Sequence, residues 1–177
     1  MSMKQLILGG ARSGKSLFAE NLALDLHAKN LKNSASANLI YIATSPRIDD
    51  EMDERINAHK TRRADVWQTI EQPINVAETL ATMSAKSTIL IDCLTLWINN
   101  LIFKNLNVEQ HFDALCQAVV ESPANIIMVS NELGMGLVPE DKLSREFRDY
   151  QGQLNQLMAQ KVDKVAFVVA GLPLWVK

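Results

Sequence analysis

Eight consecutive residues near the N-terminus, Gly9-Gly10-Ala11-Arg12-Ser13-Gly14-Lys15-Ser16, have the types and spacing of a phosphate-binding loop, G-x-x-x-x-G-K-[ST]. Glycines let backbone N–H groups approach phosphate oxygens closely, and the helix that follows adds the favourable end of its dipole. Lys15 is placed to neutralise the β- and γ-phosphates, and the Ser16 hydroxyl to coordinate a Mg²⁺ ion bridging them. A chain of this composition yields the pattern by accident about 0.002 times, so coincidence is set aside. A second group, Asp92, closes the apolar run Thr88-Ile-Leu-Ile as a Walker B-type acid does, at the sheet edge where ligands of open α/β folds collect. It supports magnesium directly or through water, or else caps the next helix.

A further cluster spans Asp49-Asp-Glu-Met-Asp-Glu-Arg-Ile-Asn-Ala-His59-Lys-Thr-Arg-Arg63. On a helix, Arg55, His59 and Arg63 share one face with Arg62 alongside. Nearby cations would keep an imidazole neutral, as a nucleophile or general base requires, and would also attract phosphate. The competing reading is a solvated helix with Glu51 paired to Arg55. His27 and His111 lack such surroundings and are expected at the surface. Asn131 to Pro139, with Gly134 and Gly136 around Met135, is a loop able to close over a ligand, or a plain strand-to-helix connection.

Periodicity supplies the elements that must hold these groups. Short apolar runs at Lys4 to Leu8, Leu39 to Ala43, Val66 to Ile70, Thr88 to Asp92, Ile126 to Ser130 and Val165 to Ala170 read as strands. Helical spacing covers Lys15 to about Lys29, Asp49 or Asp50 to about Arg63, Ile74 to Ala85, Leu94 to Phe103, Val108 to Glu121 and Asp141 to Lys161. Asn30 to Asn38 reads as a surface connection. Strand and helix alternate, which predicts one α/β domain over residues 1–177: a mainly parallel sheet, right-handed crossovers, and helices on both faces. After Gly171-Leu-Pro173 the chain turns, and Leu174 to Val176 returns as a short antiparallel edge strand, where proline is tolerated.

Composition narrows the remaining classes. With 177 residues, 47% hydrophobic and 21% charged, the chain is long enough and apolar enough to enclose a core unaided. A formal charge of −2 gives no global field for nucleic acid or an anionic membrane, so anionic ligands must be caught locally. The first apolar run is too short for a signal-peptide core, and Val165 to Val176 is too short and too broken to span a bilayer. The two cysteines, Cys93 and Cys116, sit in apolar stretches and read as buried thiols of a reducing cytoplasm. Trp97 and Trp175 are core residues or contact residues.

Taken in order, these segments resemble the bifunctional adenosylcobinamide kinase/adenosylcobinamide-phosphate guanylyltransferase family of cobalamin biosynthesis. The likeness runs through Gly9 to Ser16, Tyr41-Ile-Ala-Thr-Ser45, Asp49-Asp-Glu-Met52, Arg55-Ile-x-x-His59-Lys-x-x-Arg63, Trp67 to Glu71 and Ile91-Asp-Cys-Leu-Thr-Leu-Trp97. It continues through Ser130-Asn-Glu-Leu-Gly-Met-Gly-Leu-Val-Pro139, Arg145-Glu-Phe-Arg-Asp149 and Gly171-Leu-Pro-Leu174. The resemblance implies a P-loop NTPase (RecA-like) three-layer fold. It implies phosphorylation of the aminopropanol hydroxyl of adenosylcobinamide, with ATP or GTP as donor. Transfer of GMP from GTP onto that phosphate follows, with release of pyrophosphate, through a GMP-histidine intermediate at His59. Some relatives carry two adjacent histidines where this chain has Ala58-His59. GTP contacts then map to Gly9, Gly10, Ala11, Arg12, Ser13, Gly14, Lys15 and Ser16, to Ala43, Thr44 and Ser45, to Lys60, Thr61, Arg62 and Arg63, and to Glu71 and Asp92. Asp92 stands where some relatives have glutamate. Mg²⁺ as cofactor, held by Ser16 and Asp92, and a homotrimer complete what the likeness implies. The readings that compete with it are a small-molecule or nucleotide kinase without guanylyl transfer, and a non-catalytic nucleotide switch.

Overall fold

A computed structural model describes residues 2–33, 36–45 and 66–177. The charged segment that carries His59, Lys60, Thr61, Arg62 and Arg63, and the helix expected there, lie outside the described residues. In chain order the elements are β1 (Lys4–Gly9), α1 (Lys15–Asn33), β2 (Asn38–Ala43), β3 (Gln68–Glu71), α2 (Val76–Ala81) and β4 (Ser87–Asp92). They continue with α3 (Leu94–Phe103), α4 (Val108–Glu121), β5 (Asn125–Asn131), α5 (Lys142–Lys161), β6 (Lys164–Val169) and β7 (Leu172–Trp175).

The strands form one sheet in the order β3-β2-β4-β5-β1-β6-β7. All neighbours are parallel except β6 and β7, which pair antiparallel with Phe167 opposite Leu174 and Val168 opposite Pro173. Alternating residues of the central strands feed two cores, as the two-residue side-chain period of a strand requires. Leu6, Ile42, Ile89, Ile91, Ile126 and Met128 pack under α2, α3, α4 and α5. On the opposite face Ile7, Tyr41, Leu90, Ile127 and Val129 pack under α1, through Ala19 and Ala23. Helices therefore cover both faces. Among the described residues α1 covers one face and α2 to α5 the other.

Several boundaries moved for identifiable reasons. Helix α1 continues to Asn33, so part of the expected surface connection is helical; Asn30 reaches across to donate from Nδ2 to Thr88 Oγ1 at 3.2 Å. Helix α2 is shorter at both ends. The Gln72 side chain takes the Ile74 and Asn75 amides at its start, and Thr82 Oγ1 bonds the Thr79 carbonyl at its end, so side-chain bonds replace helical ones. Two caps fall where polar residues precede apolar periodicity: Asn107 accepts from Gln110 N at 3.0 Å, and Asp141 from Ser144 N at 2.8 Å. Hydrogen bonding from the Ser144 side chain, and then from its amide, holds the Asp141 carboxyl below its ordinary pKa.

His27 corrects an expectation. It is buried on α1, with Nδ1 lacking a partner, and burial lowers its pKa; α1 packs closely enough on the sheet to enclose it. His111 is half-buried and bonds the Asn107 carbonyl at 2.7 Å. Trp97 is a core residue, 1% exposed, whose Nε1 donates to the Ile74 carbonyl at 2.7 Å, whereas Trp175 is 43% exposed at the sheet margin. At the N-terminal edge of the sheet Lys4 is buried, donating from Nζ to the Ser122 carbonyl at 2.7 Å and to the Ala124 carbonyl. Burial lowers its pKa to about 8, against the raising influence of Asp163.

Candidate functional site

The phosphate loop begins where β1 leaves the sheet. Ser13 N donates to Gly10 O at 3.3 Å and Phe18 N to Gly14 O at 3.0 Å, so a tight turn passes directly into the first turn of α1. Gly14 has φ +90° and a Cβ there would sit 3.0 Å from Gly171 Cα, which is why this position is glycine. Gly9 is equally constrained: a Cβ would meet both Ser13 Oγ and Val168 O at 2.6 Å. Arg12 holds φ 57°, a conformation that L-residues take mainly where surrounding structure enforces it.

The loop is clamped from outside by the β6–β7 turn. Gly171 N donates to Ser13 O at 2.7 Å, and Ala170 and Gly171 both have positive φ, 52° and 81°. This explains why Gly171-Leu-Pro accompanies the phosphate loop, a link that letter spacing across the chain does not show. Behind the helix, Phe18 meets Trp175 edge-on at 6.0 Å, tying β7 to α1.

Lys15 Nζ is folded onto the Gly10 carbonyl at 3.2 Å, over the cradle where phosphate oxygens would compete for it. Ser16 is half-buried in the first helical turn. The Ser13 hydroxyl is buried with no partner inside the loop, a polar atom whose desolvation is uncompensated by protein. Loop amides, a helix N-terminus and one lysine together form an anion cradle.

Asp92 ends β4, and its Oδ2 accepts from Tyr41 OH at 3.1 Å. The strand ends are then laced together. Thr44 N donates to Asp92 O at 3.4 Å, Thr44 Oγ1 accepts from Cys93 N at 2.9 Å and donates to Cys93 O at 2.7 Å. Asn100 Nδ2 donates to Thr44 O at 2.7 Å and to Pro73 O at 3.0 Å. Thr44 is fully buried, so its hydroxyl braces the site from within. Burial pushes the Cys93 thiol up to about 11, with Asp92 adding to it and Lys15 partly offsetting it, which also places both charges around this sulfur. Cys93 is thus a protonated packing thiol at the site, and Cys116 is buried in the core.

Gly9, Ala43, Glu71 and Asp92 all lie at the C-terminal ends of parallel strands, with Ala43 in register with both Glu71 and Asp92. Among the described residues, those singled out from the sequence therefore share one edge, and Ser45 follows directly on Thr44. They are not all adjacent. Four strand intervals separate β3 from β1, roughly 19 Å at the usual spacing, so Glu71 stands at the far end of the edge from the phosphate cradle. Tyr41 and Thr95 take part in the edge with no role read from the letters, and so do Asn131 and Glu132, read there only as the start of a loop; the sign that marks them is polarity at the end of an otherwise apolar parallel strand or the start of the next helix.

Residues 5–176 match the protein family described as cobinamide kinase / cobinamide phosphate guanyltransferase. The chain is 43% identical to the bifunctional adenosylcobalamin biosynthesis protein CobP of Pseudomonas aeruginosa over 180 residues, covering 99% of this chain and 98% of that protein. It is 36% identical to the bifunctional adenosylcobalamin biosynthesis protein CobU of Escherichia coli over 191 residues, 99% of this chain and 100% of that one. Among solved structures, a KaiC-like protein of Pyrococcus horikoshii shares the fold with TM-score 0.50 at 12% identity, across 93% of this chain and 70% of that chain. A phosphate cradle on β1, an acid held at the end of β4 and a likeness that spans the whole chain lead to one assignment: the protein belongs to the cobinamide kinase / cobinamide phosphate guanyltransferase family.

Proposed function

We propose that this enzyme phosphorylates adenosylcobinamide and then transfers GMP from GTP to adenosylcobinamide phosphate, giving adenosylcobinamide-GDP and pyrophosphate. The observation that carries the reading is the phosphate loop, formed and clamped, in a chain matched to that family from residue 5 to 176. In the kinase half the acceptor hydroxyl attacks the γ-phosphate of ATP or GTP held by Gly9 to Ser16, with Lys15 taking up developing charge. In the transfer half the His59 imidazole attacks the α-phosphate of GTP, pyrophosphate leaves, and the corrinoid phosphate then displaces the imidazole from GMP. Lys60, Thr61, Arg62 and Arg63 join Ala43, Thr44, Ser45, Glu71 and Asp92 in holding GTP.

A hydroxyl and a carboxylate, Ser16 and Asp92, are hard oxygen donors suited to Mg²⁺. Bound there, the ion would neutralise phosphate charge. Exposed apolar side chains on the β7 margin (Leu172 and Leu174) and on the loop after β5 (Met135 and Leu137) offer surface for self-association, and the homotrimer rests on the family likeness. No described helix is long and apolar enough to cross a membrane, which fits a cytoplasmic enzyme.

The test uses α-labelled GTP. Wild type acquires acid-labile label and His59→Ala does not; equal labelling of the two rejects the covalent step at His59. Conversion of adenosylcobinamide to its phosphate and then to the GDP product, followed by mass spectrometry, reports the two halves separately.

A further inference from the structure

Strand β5 is wedged between β1 and β4, so its last residues run up between the phosphate loop and Asp92. Gly9 is in register with Asn131 and Asp92 with Val129, so β5 continues past Asp92 by two residues before Glu132 begins the turn. Its backbone amides fasten this extension to β1 and to the helix that follows β4. Glu132 N donates to Gly9 O at 3.1 Å, and Asn131 N to Thr95 Oγ1 at 2.9 Å, just beyond Asp92.

A buried polar network fastens it from below. Asn155 Nδ2 donates to the Asn131 carbonyl at 3.0 Å, Ser130 Oγ donates to Asn155 Oδ1 at 2.7 Å, and Gln151 Nε2 donates to Ser130 Oγ at 2.8 Å. Ser130, Gln151 and Asn155 are all buried, and Gln151 Oε1 has no partner. Such a network is costly where apolar packing would close the core as well, and what it adds is position.

Glu132 is the chemical group positioned this way. Its Oε1 accepts from Gly134 N, and a Cβ on Gly134 would stand 2.8 Å from Oε1, so glycine leaves the carboxylate its place. Among the described residues the other carboxylates closing the sheet edge are Asp92, engaged by Tyr41, and Glu71, three strands from β5. Glu132 alone of these directly follows the strand between cradle and acid.

We propose that Glu132 is the general base of the kinase half-reaction, an inference that rests on the function proposed above. Its Oε2 takes the hydroxyl proton as the acceptor oxygen bonds to the γ-phosphorus. The bond from that phosphorus to the β,γ-bridging oxygen breaks, nucleoside diphosphate leaves, and the proton passes to solvent. Guanylyl transfer makes no such demand, because its acceptor is a phosphate already ionised at neutral pH and its nucleophile toward GTP is an imidazole. Asn155 is a positioning residue for the same step.

Three assays on the full-length protein test this: adenosylcobinamide phosphorylation, GMP transfer to separately prepared adenosylcobinamide phosphate, and labelling by α-labelled GTP. Glu132→Gln keeps an acceptor for Gly134 N and should lose roughly 100- to 10,000-fold in kinase kcat, the span of general-base catalysis, while transfer stays within about threefold. Gly134→Ala, which displaces the carboxylate without removing it, should lose about tenfold in the kinase assay alone and keeps the test open if Glu132→Gln folds poorly. Wild-type kinase rates in Glu132→Gln overturn the proposal. So does a parallel loss of both activities with a higher magnesium requirement, which would make Glu132 a nucleotide or metal ligand. A wild type that transfers GMP but phosphorylates nothing overturns the proposal together with the kinase half of the proposed function, an outcome distinct from the other two.

Discussion

Gly14→Ala and Gly171→Ala separate strain from displacement at the clamp on the phosphate loop. Both positions have positive φ, +90° and +81°, so alanine costs about 1–2 kcal/mol at either one. Around Gly171 nothing lies within 4 Å of an added Cβ, and the bond from its amide to Ser13 O can survive. That variant should lose only the strain energy, a fall in Tm of roughly 2–8 °C for a chain of this size. At Gly14 the added Cβ meets the backbone of Gly171 at 3.0 Å, so loop and clamp must part. The 2.7 Å bond from Gly171 N to Ser13 O is then stretched or lost, adding about 0.5–1.5 kcal/mol, and the cradle shifts. GTP binding, followed with a fluorescent analogue, should weaken at least tenfold in Gly14→Ala and less than about threefold in Gly171→Ala. Equal weakening in the two variants, or wild-type affinity in Gly14→Ala, would refute the idea that the turn after β6 locates the phosphate loop.

The other expectations concern buried polar groups. Tyr41→Phe removes the hydrogen bond to Asp92 Oδ2 and should cost about 1–2 kcal/mol in denaturant unfolding and raise the magnesium needed for half-maximal turnover; unchanged values for both would mean that Asp92 is positioned by other contacts. Lys4, with pKa about 8 in the fold against 10.5 unfolded, is less protonated in the native state between those values. Its contribution therefore rises with pH across that window, and the stability of wild type relative to Lys4→Met should increase by about 1–2 kcal/mol from pH 7 to pH 9.5. A constant difference would show that the amine is not desolvated. With its thiol pushed up to about 11 from 9.0, half-buried Cys93 should react with iodoacetamide at pH 8 about 100-fold more slowly in the native protein than after unfolding, and fast native labelling of Cys93 would contradict that shift.

Where one physical signal dominated, the letters were enough. The phosphate loop, the apolar runs of β1, β4 and β5, and the fully periodic α3 and α4 stand where spacing puts them, because burial on both faces of a parallel strand leaves little choice of residue. Ends of α1 and α2 were less legible, since they depend on Asn30 finding Thr88 and on Gln72 capping its own downstream amides. His27 looked like a surface residue because it lacks the charged surroundings of His59, and only the packing of α1 on the sheet reveals its burial. The site itself was half legible. Gly9 to Ser16 stand out by type and spacing, and Asp92 by closing an apolar strand, whereas the place of Tyr41, Thr95, Asn131 and Glu132 beside them follows only from the strand order, which puts β5 between residues 9 and 92.

That strand order also bears on how one edge can serve two reactions. From the clamp inward, hydrogen bonds pass from Gly171 to Ser13, from Glu132 to Gly9, from Asn131 to Thr95, and from Asn100 to Thr44, which in turn holds Cys93. Each joins one element to another, and most of the groups involved are buried or half-buried, so the frame holds the phosphate loop in one fixed place. A frame of this kind favours neither the α- nor the γ-phosphorus by itself. Attack at γ calls for a hydroxyl and a base beside the loop, where Glu132 stands; attack at α calls for a nucleophile brought to the opposite end of the phosphate chain. The two half-reactions can therefore be separated by substitutions that leave the cradle untouched, and loss of one with retention of the other is the behaviour this architecture demands.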